Sequence, residues 1–257
     1  MFLDGCYISY INLNHRTDRL VHMQKELSRI SITAERFEAI KFEYRTWDAN
    51  KVSVMYHRSK GAIGCWASQV AVMEISLSKG RHAFVMEDDL VFCSDFKERI
   101  DYIEIFLEGK PWDCVFLGGT IHADKSWWHI GGKNPDLPNT KLTRDAECTD
   151  DPRILRTYAA FSTHAYIVNK NSIPKVLSLL DSVQHEAMGI DWAFIRLGGL
   201  LTNYMFVPGC IKQFDNRSDI GQGMTIFSGF AKLGPYWWQD KMTDFDPTTF
   251  DWGDAKR

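Results

Sequence analysis

A chain of 257 residues that is 45% hydrophobic and 13% aromatic can bury the core of one large domain or two small lobes. Its 33 acidic and 30 basic residues leave a formal charge of −3, which argues against a general nucleic-acid binder, and no Lys/Arg run offers itself to an anionic membrane. The opening MFLDGCYISYINLNHR carries Asp4 and no basic start before its apolar stretch, so it reads as neither signal peptide nor membrane span. Six scattered cysteines (Cys6, Cys65, Cys93, Cys114, Cys148 and Cys210) form no CxxC pair, which predicts reduced, buried thiols and a cytoplasmic setting.

In chain order, CYISYINL (6–13) is rich in Ile and Tyr and predicts a strand. Leu20, Met23, Leu27 and Ile30 then repeat at helical spacing, with Thr17 as the expected cap. A second strand is expected over 35–40, polar irregular chain over 41–60, and a buried helix over 61–80. The strand HAFVM (82–86) follows, then an amphipathic helix over 95–107 and a strand over 112–119. This β-α alternation predicts an α/β sandwich with a mixed, mostly parallel central sheet. Periodicity is lost over 120–156, which predicts a long binding loop or lid. A strand over 158–170, a helix over 171–182 opened by Pro174, a helix over 189–201 and a strand over 204–209 complete the pattern. The expected organisation is one domain over 1–257: a nucleotide-binding half to 119, the loop, and an acceptor-side half and tail from 157.

Glu87, Asp88 and Asp89 are the feature that most needs an explanation, because they lie between the apolar runs AFVM and LVF. A solvated turn is the plain reading. Yet adjacent carboxylates at the end of a buried strand repel one another, and a hard divalent cation relieves that conflict. In open α/β sheets, ligands bind at the carboxyl ends of strands. NLNHRTDR lies at the same edge and opens a helix, where anions are favoured. Arg16 and Arg19 are candidates to meet phosphate, and Asn12 or Asp18 to hydrogen-bond ribose or base. Gly61 and Gly64 are candidates for close backbone approach to a ligand. For each, a helix start without ligand chemistry is the alternative.

YINLNHRTDRL, GAIGCWASQ, VMEDDLVF, THAYIVNKNSIPKVL and GIDWAF, in this order, resemble glycosyltransferase family 25, which includes lipopolysaccharide and collagen galactosyltransferases. The resemblance covers about residues 6–220. It implies a GT-A-like (Rossmann-like) nucleotide-sugar-binding fold, a UDP-hexose donor and inverting transfer to a hydroxyl. It implies Asp89, with Asp88, as ligands of Mn2+ or Mg2+, Glu87 or Asp88 at the ribose or a metal-bound water, and Ser68 among the donor contacts. Family members usually carry Ser-His where this chain has Ser68-Gln69. A C-terminal metal ligand would have to be Asp215, Asn216 or Asp219, since the last histidine is His185.

Inversion needs a base for the acceptor hydroxyl. Asp191, at a helix start beside Trp192, is the candidate, with Glu186 next and a plain N-cap as the alternative role. His164 reads as a structural histidine within a strand. Trp127 and Trp128 are candidates to stack on a sugar, and Trp237 and Trp238 less so. The expected partners are a UDP-hexose and a glycan or hydroxylysine-type acceptor, with oligomeric state left open. Two other functions compete: an inactive GT-A-like binding module, and a metal-dependent phosphoesterase. The second fits less well, because His82, His122 and His164 do not form a two-metal pattern.

Overall fold

The computed structural model describes residues 2–41, 60–121, 146–151, 153–158, 160–161, 163–184, 189–206 and 209–213. A 3-10 turn over Phe2–Gly5 leads into β1 (Cys6–Asn12). Helix α1 (Thr17–Arg29) turns Met23 and Leu27 inward, four residues apart on one face. Arg16, not Thr17, occupies its N-cap, so the expected cap residue is the first residue of the helix. Strand β2 (Glu35–Glu38), the long helix α2 (Lys60–Ser78) and β3 (His82–Met86) follow. Then come the short strand β4 (Leu90–Phe92), α3 (Phe96–Leu107), β5 (Cys114–Phe116) and β6 (Thr120–Ile121). Beyond them lie β7 (Ala146–Cys148), β8 (Ile154–Thr157), β9 (Ala160–Phe161) and β10 (Ala165–Val168). Helices α4 (Ile173–Val183) and α5 (Ile190–Leu197) precede β11 (Asn203–Phe206) and β12 (Ile211–Gln213).

The central sheet has eight strands in the order β2-β1-β3-β10-β5-β11-β8-β7. β1 is parallel to β2 and β3, and β5 to β11, whereas β10 and β8 run against their neighbours. This is the expected mixed, mostly one-directional α/β sheet of a Rossmann-like GT-A fold. One face packs Ile63, Trp66 and Met73 of α2 with Val176 and Leu180 of α4 and Phe194 of α5. The other packs Met23 and Leu27 of α1 with Phe96, Ile100 and Ile103 of α3.

Short strands escaped the sequence pattern. The segment expected as a loop over 120–156 carries β6 near its start and β7 and β8 near its end, and β7 and β8 extend the main sheet at its far edge. Strands of two to four residues are too short to display a period of two. The strand expected over 158–170 is two: β9 pairs with β6, whereas β10 pairs with β3 and β5. The chain changes sheets at Thr163 and His164. His164 therefore lies in the bend before β10 rather than within a strand, with its ring against the Ile211 carbonyl at 3.3 Å.

Two features bring distant chain segments to the acids. The parallel register places Tyr10 beside Met86, so the continuing strands set Asn12 level with Asp88. On the other side, β12 pairs with β4, and the Leu117 carbonyl accepts from the backbone N–H groups of Cys210 and Ile211 at 2.7 and 3.0 Å. A Cβ on Gly118 would collide with the Ile211 carbonyl oxygen and the His164 ring. That glycine is needed for so close an approach.

Candidate active site

The acids begin where β3 ends. The Glu87 N–H donates to the His164 carbonyl at 2.8 Å, which continues the β3–β10 ladder by one residue. The following two side chains then turn toward α1. Arg19 Nη1 lies 2.7 Å from Asp88 Oδ1 and 3.3 Å from Asp89 Oδ2, and Asn12 Nδ2 donates to Asp88 Oδ2 at 2.7 Å. Arg19, Asp88 and Asp89 are 7%, 6% and 7% exposed, so this is a buried ion pair and the solvated-turn reading does not describe it. Asn12 Nδ2 also donates to the Arg16 carbonyl at 3.1 Å, and Asn12 Oδ1 accepts from Arg36 Nε at 2.9 Å. Arg36, on β2, carries no motif of its own; only the parallel β1–β2 register brings it to the site. Arg16 and Asp18 pair with each other at 2.9 Å at the outer start of α1, and the Arg16 hydrogen bond holds the Asp18 carboxyl well below the usual carboxylate range.

Glu87 meets a different environment. Gln213 Nε2 donates to Glu87 Oε2 at 2.9 Å and to Asp89 Oδ1 at 3.2 Å. The Cys65 thiol stands 3.9 Å from Glu87 Oε1, Gln69 Nε2 donates to Cys65 Sγ at 3.3 Å, and the Tyr166 hydroxyl donates to Gln69 Oε1 at 2.7 Å. Burial raises the Glu87 carboxyl well above its ordinary range, and the charges of Asp89, Asp191 and Asp88 push it further, with Arg19 opposing. Burial also raises Asp89, which Arg19 and Gln213 partly counter. The Cys65 thiol is raised well above its usual value by burial, then by Glu87, Asp191 and Asp89.

Asp191 is the second residue of α5; Gly189 holds the N-cap, so Asp191 is not the helix cap. Its Oδ1 accepts from Thr163 Oγ1 at 2.8 Å. Thr163 adjoins His164, whose carbonyl accepts from the Glu87 N–H, so Asp191 stands near the acids, and its charge acts on Glu87, Cys65 and Tyr166. Gly61 and Gly64 lie in the first two turns of α2. Ser68 is fully buried: its Oγ donates to the Gly64 carbonyl at 2.6 Å and accepts from the Ile40 N–H at 2.8 Å. It ties α2 to the chain after β2. Trp127, Trp128, His122, Glu186, Asp215, Asn216, Asp219, Trp237 and Trp238 lie outside the described residues.

Among the described residues, no three His, Cys, Asp or Glu side chains are grouped to hold a metal ion. Two carboxylates do converge: Glu87 and Asp89 share the Gln213 Nε2 donor, so an oxygen of each faces a common point that favours positive charge. All-oxygen donors suit Mg2+ or Mn2+, which one or two carboxylates hold together with substrate phosphates. Asp88 has both oxygens engaged, by Arg19 and by Asn12. No described helix is long and apolar enough to cross a membrane.

The chain is 36% identical over 63 residues to a Bos taurus protein named "Probable inactive glycosyltransferase 25 family member 3", a match covering 23% of this chain and 11% of that one. It is 29% identical over 130 residues to a candidate glycosyltransferase of Acanthamoeba polyphaga mimivirus, covering 48% of this chain and 40% of that protein. It thus matches well under half the length of either relative. The sequence model of glycosyltransferase family 25 (LPS biosynthesis protein) matches residues 6–192, from the first residue of β1 through Trp192 in α5, and the chain belongs to that family.

Proposed function

We propose that the chain transfers a hexose, galactose or glucose, from a UDP-sugar to a hydroxyl of a glycan or of a hydroxylysine-type acceptor, with inversion. The observation that carries this reading is the convergence of Glu87, Asp89 and Asp191 at the carboxyl end of β3. Asp191 lies close enough for its charge to raise Glu87, yet it is held from another element by Thr163. One side of such a site can hold a diphosphate while the other takes a proton.

Asp89 and Glu87 are the residues that would hold Mn2+ or Mg2+; when bound, the ion neutralises charge on the leaving nucleotide. Arg19 fixes Asp88 and one oxygen of Asp89, so the orientation of the pair is set before any ligand arrives. Thr163 holds Asp191 through Oδ1, and the carboxylate so oriented takes the acceptor proton as the hydroxyl attacks. A second reading, a binding module without turnover, draws support from the inactive name of the Bos taurus relative.

Release of UDP from UDP-galactose and UDP-glucose, with and without Mn2+, separates the two readings. Turnover dependent on a divalent cation is expected; UDP binding with no sugar release would favour the module. Asp191→Asn is expected to keep UDP binding and to lose roughly 10²–10⁴-fold in turnover, the size of a lost general base. Asp89→Asn is expected to weaken Mn2+-dependent UDP binding and turnover together. Near-normal turnover by Asp191→Asn removes it as the base and turns attention to Glu186.

A further inference from the structure

Gln69 and Tyr166 are both wholly buried, on α2 and β10, and neither belongs to the acid cluster. They hydrogen-bond each other across the sheet–helix interface at 2.7 Å. A buried amide and phenol satisfying one another would close the matter if the amide nitrogen turned to a backbone carbonyl. It donates instead to Cys65 Sγ, one helical turn earlier, and that sulfur faces Glu87 Oε1. Every donor in the series points the same way. With the Tyr166 O–H donating to the amide oxygen, the amide nitrogen faces Cys65. The sulfur then accepts from Gln69 and has its own S–H left for Glu87. The other Glu87 oxygen is taken by Gln213, so the carboxylate is held on both sides.

We infer that Gln69, oriented by Tyr166, is a positioning residue that acts through the Cys65 thiol to aim the Glu87 carboxylate toward Asp89. It cannot touch substrate, being 0% exposed. Its effect is to fix which Glu87 oxygen faces the common point and to supply a neutral donor in place of a cation. The inference rests on the transferase reading for its kinetic consequence but not for the hydrogen-bond chain itself.

The test compares Cys65→Ser with Cys65→Ala, and Tyr166→Phe and Gln69→Met with their double variant. The readouts are Mn2+ affinity by calorimetry, kcat and KM with a UDP-hexose, and the infrared S–H stretch. Loss of a residue that orients a metal ligand typically lowers metal affinity or activity roughly 10–100-fold. A drop of that size is expected for Cys65→Ala, Tyr166→Phe and Gln69→Met, in Mn2+ affinity and kcat, with acceptor KM unchanged. Cys65→Ser keeps a donor and should stay within about threefold of wild type. The double variant should lose no more than the worse single, since the two residues act in series. Equal behaviour of Cys65→Ser and Cys65→Ala, or multiplicative losses in the double variant, would overturn the inference. Should Gln69→Met fail to fold, the Cys65 pair and Tyr166→Phe, which deletes only one oxygen, still decide it. Should the wild type release no sugar, the transferase reading falls alone: an S–H band that disappears in Cys65→Ser and shifts in Glu87→Gln still supports the chain. A band at the free-thiol position that ignores Glu87→Gln overturns it.

Discussion

The two flanks of the acid cluster handle the same problem by opposite means. Toward β1, β2 and α1 the wall is cationic: Arg19 grips Asp88 and Asp89, while Arg36 holds the Asn12 amide that completes Asp88. Toward α2, β10 and β12 the wall is neutral: Cys65 and Gln213 face Glu87, with Gln69 and Tyr166 behind them. The chain bends at Asp88 and Asp89 just past β3, and Asp89 meets both Arg19 and Gln213, so one triplet spans both walls. A guanidinium within 3 Å supports an ionised carboxylate even when both are buried. Neutral donors do so less well, and Glu87, pressed also by Asp191, is shifted toward its protonated form. The lesson is that the cationic wall is permanent structure, whereas the neutral wall leaves a charge deficit that a cation can fill.

The largest effect is expected from the cationic wall. Arg19→Ala would leave Asp88 buried with Asn12 as its remaining donor among the bonds above, and stripping one partner from a buried pair destabilises by about 3–5 kcal/mol. Urea denaturation checks this, and adding Asp88→Asn to Arg19→Ala should recover a large part of the loss. If Arg19→Ala melts like the wild type, the wall is not buried in solution and the comparison fails.

The neutral wall predicts a pH dependence of the opposite sign to that of an ordinary salt-bridged acid. The folded chain raises Glu87 above the usual 4.5, so between that value and the raised one the folded state binds more protons than the unfolded state. Stability of the metal-free protein should therefore fall as pH rises through that window, by up to about 1.4 kcal/mol per pH unit for one proton. Glu87→Gln should flatten this slope, and Mn2+ should do the same to the wild type. Urea midpoints from pH 5 to 8 give the measurement. Asp89 is raised in the same direction, so a residual slope in Glu87→Gln belongs to it.

The smallest effect sharpens the acceptor side. Thr163→Val removes a hydrogen bond to Asp191 Oδ1, worth about 1 kcal/mol. That corresponds to roughly a fivefold drop in kcat with UDP affinity unchanged. A drop matching that of Asp191→Asn would mean that Thr163 itself meets the acceptor.

The sequence by itself carried the long elements and the place of the acids. Met23 and Leu27, and Phe96 and Ile100, show a helical period because burial of one face imposes it locally, whereas β3 is an unbroken apolar run because both its faces are buried. It also marked Glu87–Asp89, since three carboxylates at the end of an apolar run stand out without any knowledge of neighbours. What surrounds them was decided only by the tertiary structure. Arg36 reaches the site through a parallel register, Gln213 through a three-residue strand, and Tyr166 lies 97 residues from Gln69. None of these belongs to a local pattern, because a hydrogen bond across a sheet depends on strand order, and strand order is not written in any one segment. For the same reason the sequence could propose Asp88 and Asp89 together as metal ligands, while the fold turned Asp88 to Arg19 and Asn12 and set Glu87 beside Asp89 at the shared Gln213 donor.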